Sequence, residues 1–132
     1  MTSDVQTSPQ ELALLMEAGF VYRYARRFEQ AGETFQGVLV LQPRNELAEI
    51  ALAGVSFDKG EYEEAIEHTM RAILINRRSA LAYAQLGEIQ IFQHNKLSAR
   101  TSLRKAIELD PAGHDGALAR TLLIVLDRVD VK

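Results

Sequence analysis

Residues 80–111 read Ala-Leu-Ala-Tyr-Ala-Gln-Leu-Gly-Glu-Ile-Gln-Ile-Phe-Gln-His-Asn-Lys-Leu-Ser-Ala-Arg-Thr-Ser-Leu-Arg-Lys-Ala-Ile-Glu-Leu-Asp-Pro. The pattern is that of two short helices packed on each other, with Tyr83, Leu86, Gly87, Ala99, Leu103, Ala106 and Pro111 as landmarks. Working outward, the landmarks recur upstream at a step of 34 residues: Ala31, Ala65 and Ala99; Gly19, Ala53 and Gly87; Val38, Ala72 and Ala106; Pro43, Arg77 and Pro111. Small residues held at such a period mark a helix–turn–helix unit that buries its apolar face by stacking on its neighbours.

Start and stop signals place the helices. Ser8-Pro9-Gln10-Glu11 is a capping box with proline where no amide hydrogen is needed, so the first helix is expected over 9–25. Its apolar face is expected to hold Leu14, Leu15, Ala18, Val21, Tyr22 and Ala25. Arg26 stands where a turn glycine is usual, and a second helix follows over 28–41 with Ala31, Phe35, Val38, Leu39 and Leu41 inward. Gly32 and Gly37 weaken that helix or serve a close backbone approach. Asn45, Ser79 and Asn95 are caps for helices over 46–58, 80–93 and 96–109, while Gly60 turns the chain into a helix over 62–75. Asp110-Pro111 ends the sixth helix, 112–116 is read as a loop, and a last helix is expected over 117–129. There Leu118, Leu122, Val125, Leu126 and Val129 would form the covered face, leaving Leu123 and Ile124 outside it.

On these residues the chain resembles the tetratricopeptide repeat family. Repeat three fits closely, with Gln90 where tyrosine is usual; repeat one fits through Leu15, Ala18, Gly19, Tyr22, Ala31, Phe35 and Pro43. Repeat two departs at Glu49, Ser56, Thr69 and Arg77 but keeps Gly60-Glu61-Tyr62-Glu63-Glu64-Ala65-Ile66. The resemblance implies an all-α, right-handed solenoid of three helix pairs, 12–45, 46–79 and 80–113, with a capping helix. The domain would span 9–132 behind a polar segment 1–8.

Composition limits the function. The 132 residues are 47% apolar and 25% charged, with a net charge of −3 and no cysteine. This excludes disulfide or thiol chemistry, offers no field for nucleic acid, and fits a cytoplasmic chain. The longest apolar run, 122–126, is too short for membrane insertion. His68, His94 and His114 are isolated and read as surface or turn residues, so no metal or other cofactor is expected. No nucleophile elbow or phosphate loop occurs, and the chain is read as a non-enzyme. The acidic cluster Glu61, Glu63, Glu64 and Glu67 reads as a solvated helix start.

In the family the first helix of each pair lines a concave groove. Carried over by position, the lining is Met16, Phe20, Arg23 and Tyr24; Leu47, Ile50, Gly54, Phe57 and Asp58; Leu81, Ala84, Glu88, Ile91 and Phe92. The stripe joining repeat to repeat would be Leu14, Val21, Ala48, Val55, Ala82 and Ile89. A mostly apolar groove implies a protein partner, an apolar peptide or amphipathic helix, with Arg23 and Glu88 orienting it and Gly54 admitting its backbone. The positions that clamp an acidic chaperone tail in one subclass are here Met16, Phe20, Ala51, Leu81 and Gln85, none of them cationic. Size, repeat count and groove character resemble the small translocator chaperones of type III secretion, traits that general repeat adaptors share. The alternative role is a scaffold that self-associates weakly through Leu123 and Ile124 as a homodimer.

Overall fold

The computed structural model describes residues 7–128; residues 1–6 and 129–132, including Val129 of the expected last helix, lie outside them. The described residues form α1 (Pro9–Tyr24), α2 (Phe28–Leu41), α3 (Glu46–Asp58), α4 (Tyr62–Ile75), α5 (Ala80–Phe92), α6 (Lys96–Leu109) and α7 (His114–Arg128). The capping chemistry is as the sequence reads. Ser8 Oγ accepts from the Glu11 amide at 3.1 Å while Glu11 Oε1 accepts from the Ser8 amide at 2.9 Å. Asn45, Ser79 and Asn95 accept from the amides of Ala48, Ala82 and Ser98.

Pairs α1–α2, α3–α4 and α5–α6 pack side by side, and α3, α5 and α7 each lie on the second helix of the preceding pair. Close approach within a pair depends on small residues. Ala31, Ala65 and Ala99 are fully buried. A methyl group on Gly19 would overlap the Phe35 ring, and one on Gly87 would overlap Leu103. Four buried clusters follow one another along the stack, from Leu12, Val38 and Ala48 at one end to Ala119 and Leu126 at the other.

Three of the four departures of repeat two from its family pattern are buried polar residues that meet polar partners; the fourth, Arg77, is exposed. Glu49 Oε1 and His68 Nδ1 lie 2.9 Å apart, so His68 is a core residue and not the surface residue the sequence suggested. Ser56 donates to Glu64 at 3.1 Å, and Thr69 donates to the Ala65 carbonyl and to Gln85. Gln90, where tyrosine is usual, accepts from Ser102 at 2.7 Å. Among the described residues no buried side-chain polar atom lacks a partner, the condition under which such groups are tolerated in a core.

Three readings are corrected. First, α7 begins at His114, earlier than the expected Ala117. Asp110 Oδ2 accepts from the amides of Asp115 and Gly116 at 3.1 and 3.3 Å, capping a helix where a loop was read. Gly116 is required there because a side chain would run into the Asp110 carbonyl. Second, the covered face is rotated from the expected one. Leu118, Leu122 and Leu123 pack inward with Ala119 and Leu126, while Val125 and Ile124 are exposed. Leu123 is therefore not part of an outer patch. Third, Leu14 and Val21 do not join helix to helix, and Leu41 at the end of α2 is exposed. Among the described residues no helix covers that side of α1.

The turns inside the three pairs pass through left-handed backbone at Arg26 (φ 63°), Gly60 (φ 80°) and His94 (φ 63°), one repeat apart. Glycine adopts this freely; the other two carry strain of roughly 1 kcal/mol each. Replacing His94→Gly should stabilise the fold by about 1 kcal/mol, read as a higher denaturant midpoint at unchanged slope. Arg26→Gly should gain less, because the Arg26 guanidinium lies 4.9 Å from the Phe28 ring centroid and that contact is lost.

A methyl group at Gly32 or Gly37 would meet nothing within 4 Å. These glycines serve no close approach and only weaken α2. Gly32→Ala and Gly37→Ala should each raise stability by up to about 1 kcal/mol, checked by the same chemical denaturation; loss of stability in either would contradict the open space seen around them.

Candidate partner-binding groove

The open face of α1, α3 and α5 is built by register. Helices related by 34 residues lie side by side, so Phe20, Gly54 and Glu88 form one row, Arg23, Phe57 and Ile91 a second, and Tyr24, Asp58 and Phe92 a third. The expected lining residues divide into three groups. Phe20 (44% exposed), Tyr24 (92%), Leu47 (54%) and Phe92 (50%) present apolar surface to solvent. Met16 and Ile50 are partly buried against the core clusters and form floor, and Phe57 and Leu81 are likewise partly buried. Ala84 and Ile91 are buried with Leu103, Ala119 and Leu126. Ala84 and Ile91 are therefore not available as lining, because α7 packs along α5 as well as α6.

The middle of the groove is polar, contrary to the sequence reading. The Arg23 side chain crosses from α1 to α3 and pairs with Asp58, Nε to Oδ2 at 2.6 Å and Nη2 to Oδ1 at 3.2 Å. Its guanidinium lies directly on Gly54, where a methyl group would collide with it. Gly54 therefore admits Arg23 itself and not the backbone of a ligand. Arg23 is held by two parallel bonds in the fork geometry that suits carboxylates. Phe20, Arg23, Tyr24, Arg26 and Asp58 line a shallow open cleft on this face.

Glu88 of α5 faces the same pair. Burial pushes its carboxyl above the ordinary value of 4.5; Arg23 pulls it down and Asp58 pushes it up, without cancelling the effect of burial. Next to it stands an aromatic group: Phe57 and Phe92 meet edge to face at 4.9 Å between centroids, and Tyr62 lies 5.6 Å from Phe57 and 6.1 Å from Phe92. Tyr62 was not read as groove lining, since it begins α4 and the family register assigns lining to first helices; its place at the turn beside Phe57 is the signal that was available. At the other end Phe20 is braced edge-on by Phe35 at 5.1 Å.

Gln85 is the one clamp-equivalent position able to donate a side-chain hydrogen bond, and it is occupied. Its Nε2 donates to the Ile50 carbonyl at 2.9 Å and its Oε1 accepts from Thr69. With Met16, Phe20, Ala51 and Leu81 apolar, no group at these positions could balance a buried carboxylate. Among the described residues no cluster of His, Cys, Asp or Glu could hold a metal ion, and no helix is long and apolar enough to cross a membrane.

The raised Glu88 pKa has a defined stability consequence. A carboxyl that binds its proton more tightly when folded adds stability below the unfolded value, and that contribution disappears as pH rises through the folded value. Glu88→Gln should therefore be more stable than the parent protein at pH 7. The difference should shrink on acidification and vanish below the ordinary glutamate range. Thermal melts of both proteins between pH 3.5 and 8 test this, a constant difference being the contrary result.

Comparison with known proteins agrees with this architecture. Residues 80–112 match the model of the tetratricopeptide repeat. No curated protein matches the sequence. Among solved structures, the first such repeat domain of Spaghetti (RPAP3), bound to the HSP90 peptide SRMEEVD, is 18% identical with a TM-score of 0.78, covering 94% of this chain and 96% of that one. The type III secretion chaperone SycD of Yersinia enterocolitica, in complex with a peptide of the translocator YopD, is 18% identical with a TM-score of 0.79, covering 91% and 95%. PcrH, known from Pseudomonas aeruginosa and here in complex with the chaperone binding region of PopD, is 19% identical with a TM-score of 0.80, covering 96% and 97%. The chain thus carries a tetratricopeptide repeat at residues 80–112 and has the fold of the tetratricopeptide-repeat solenoids.

Proposed function

We propose that this protein is a non-catalytic binding module, an adaptor or chaperone, that holds an apolar segment of a partner protein in the groove of α1, α3 and α5. The observation that carries this reading is the set of large apolar side chains left in solvent there, Phe20, Tyr24, Leu47 and Phe92, grouped on the face that the three first helices share. Exposed aromatics grouped on a concave face favour a partner over water. The Arg23–Asp58 pair and Glu88 divide this surface into two apolar ends with a polar centre. A ligand would place apolar anchors at both ends and backbone or polar groups over the middle. Burial of a few such anchors at about 25 cal/mol per Å², less the cost of ordering, corresponds to micromolar binding.

The structural neighbours supply two ligand chemistries, an acidic chaperone tail and a segment of a secretion translocator. The absence of cations at the clamp positions favours the second. The repeat domain would be 9–132, acting in the cytoplasm without nucleic acid, metal or cofactor. Self-association through the α7 end is the lesser reading, since Leu123 is turned inward and Ile124 and Val125 alone remain.

Fluorescence polarisation with labelled peptides distinguishes these. SRMEEVD should not bind below about 1 mM. Apolar translocator segments should bind in the micromolar range, and Phe20→Glu with Phe92→Glu should weaken them at least tenfold, about 1.4 kcal/mol, with helicity unchanged by circular dichroism. Binding of apolar segments undiminished in the double variant would remove the groove as the site; tight binding of SRMEEVD would overturn the argument from missing cations.

A further inference from the structure

The repeat register exposes a second surface, distinct from the groove. In α3, Ala48, Leu52 and Val55 are at most 4% exposed, and in α5 the equivalent Ala82, Leu86 and Ile89 are at most 7% exposed. These residues form the stripe by which α3 sits on α2 and α5 on α4. The equivalents in α1 are Leu14, Ala18 and Val21. Leu14 is 65% and Val21 66% exposed, and Ala18 is exposed with them. Exposed Ala25 extends the stripe. Steps of four, three and four residues give the spacing of a helix-pairing seam, with alanines at alternate places that let a second backbone approach closely. By helical spacing the stripe points well away from Met16, Phe20 and Arg23, which belong to the groove.

Charge around the stripe selects its occupant. Its beginning is flanked by Glu11 and Glu17, and its end by Arg26 and Arg27, all exposed. Two copies of α1 laid parallel would bring Glu11 to Glu11 and Arg27 to Arg27. Laid antiparallel, they place Leu14 opposite Ala25 and Ala18 opposite Val21, and Glu11 of each copy beside Arg27 of the other. We infer that the outer face of α1 is a homodimer interface, in which two chains pair antiparallel about a two-fold axis between Ala18 and Val21. The stripe is self-complementary in shape and charge, as an isologous contact requires. One helix pair lies at the small end of specific interfaces, below about 1,200 Å² in total, so a micromolar dimer is expected, weakened by salt.

Sedimentation equilibrium of the full chain tests this. The mass should rise from the 14.8 kDa of one chain to twice that and stop, since an isologous contact closes. Val21→Glu should raise the dissociation constant at least tenfold and Arg27→Glu should raise it measurably, while Ile124→Asp should leave it unchanged; circular dichroism confirms that each variant is folded. The chain has no cysteine, so orientation can be read directly. Mixed Leu14→Cys and Ala25→Cys chains should form the mixed disulfide far faster than either forms its own. A monomer at millimolar concentration, a mass that grows without limit, a dimer indifferent to Val21→Glu, or preferential Leu14→Cys self-linkage would each overturn the proposal.

Discussion

Close contact between the two helices of a repeat is the constraint on which this structure rests. It is secured by removing side-chain volume at fixed places. Ala31, Ala65 and Ala99 have no exposed surface, and Gly19 and Gly87 receive Phe35 and Leu103 directly against the backbone. When the pairs are this tight, the apolar stripe of each following first helix finds a shallow trough to lie in, and the stack repeats itself. The groove is the geometric remainder: first helices set side by side, with one face left over.

That constraint explains what could be read in advance. Side-chain caps open α1, α3, α5 and α6, and α2, α3, α4 and α6 run over the residues their sequence signals mark. The misread helix faces of α1 and α7 lie where the repeat lacks a neighbour. In α1 the pattern alone made Leu14 and Val21 look like core, because periodicity reports which residues share a face and not whether anything covers it. In α7 the cap is a carboxylate from the preceding turn, Asp110, reaching forward to Asp115 and Gly116. No local cap motif announces such a contact.

The groove shows a further limit of the same kind. Its rows follow from the register, and Phe20, Tyr24, Leu47 and Phe92 are where the register puts them. The state of Arg23, Gly54 and Ile91 depends on other helices. Arg23 looked like a free donor until Asp58, 35 positions later, was found holding it; Gly54 looked like room for a ligand until Arg23 filled the space; Ile91 looked open until it was found buried in one cluster with Ala119 and Leu126 of α7. Repeat two makes the converse point. Its off-pattern residues seemed to weaken the family likeness, yet Glu49, Ser56 and Thr69 each meet a polar partner that completes them.

The Arg23–Asp58 bridge has a mechanical meaning. It ties α1 to α3, the first helices of successive repeats, across the open groove face. Apolar contacts between repeats carry no charge for mobile ions to screen. The bridge is a partly solvent-accessible ionic strut, whose strength falls as mobile ions accumulate around it. One of the ties between α1 and α3 on the proposed binding face is thereby made sensitive to the ionic composition of the surrounding medium.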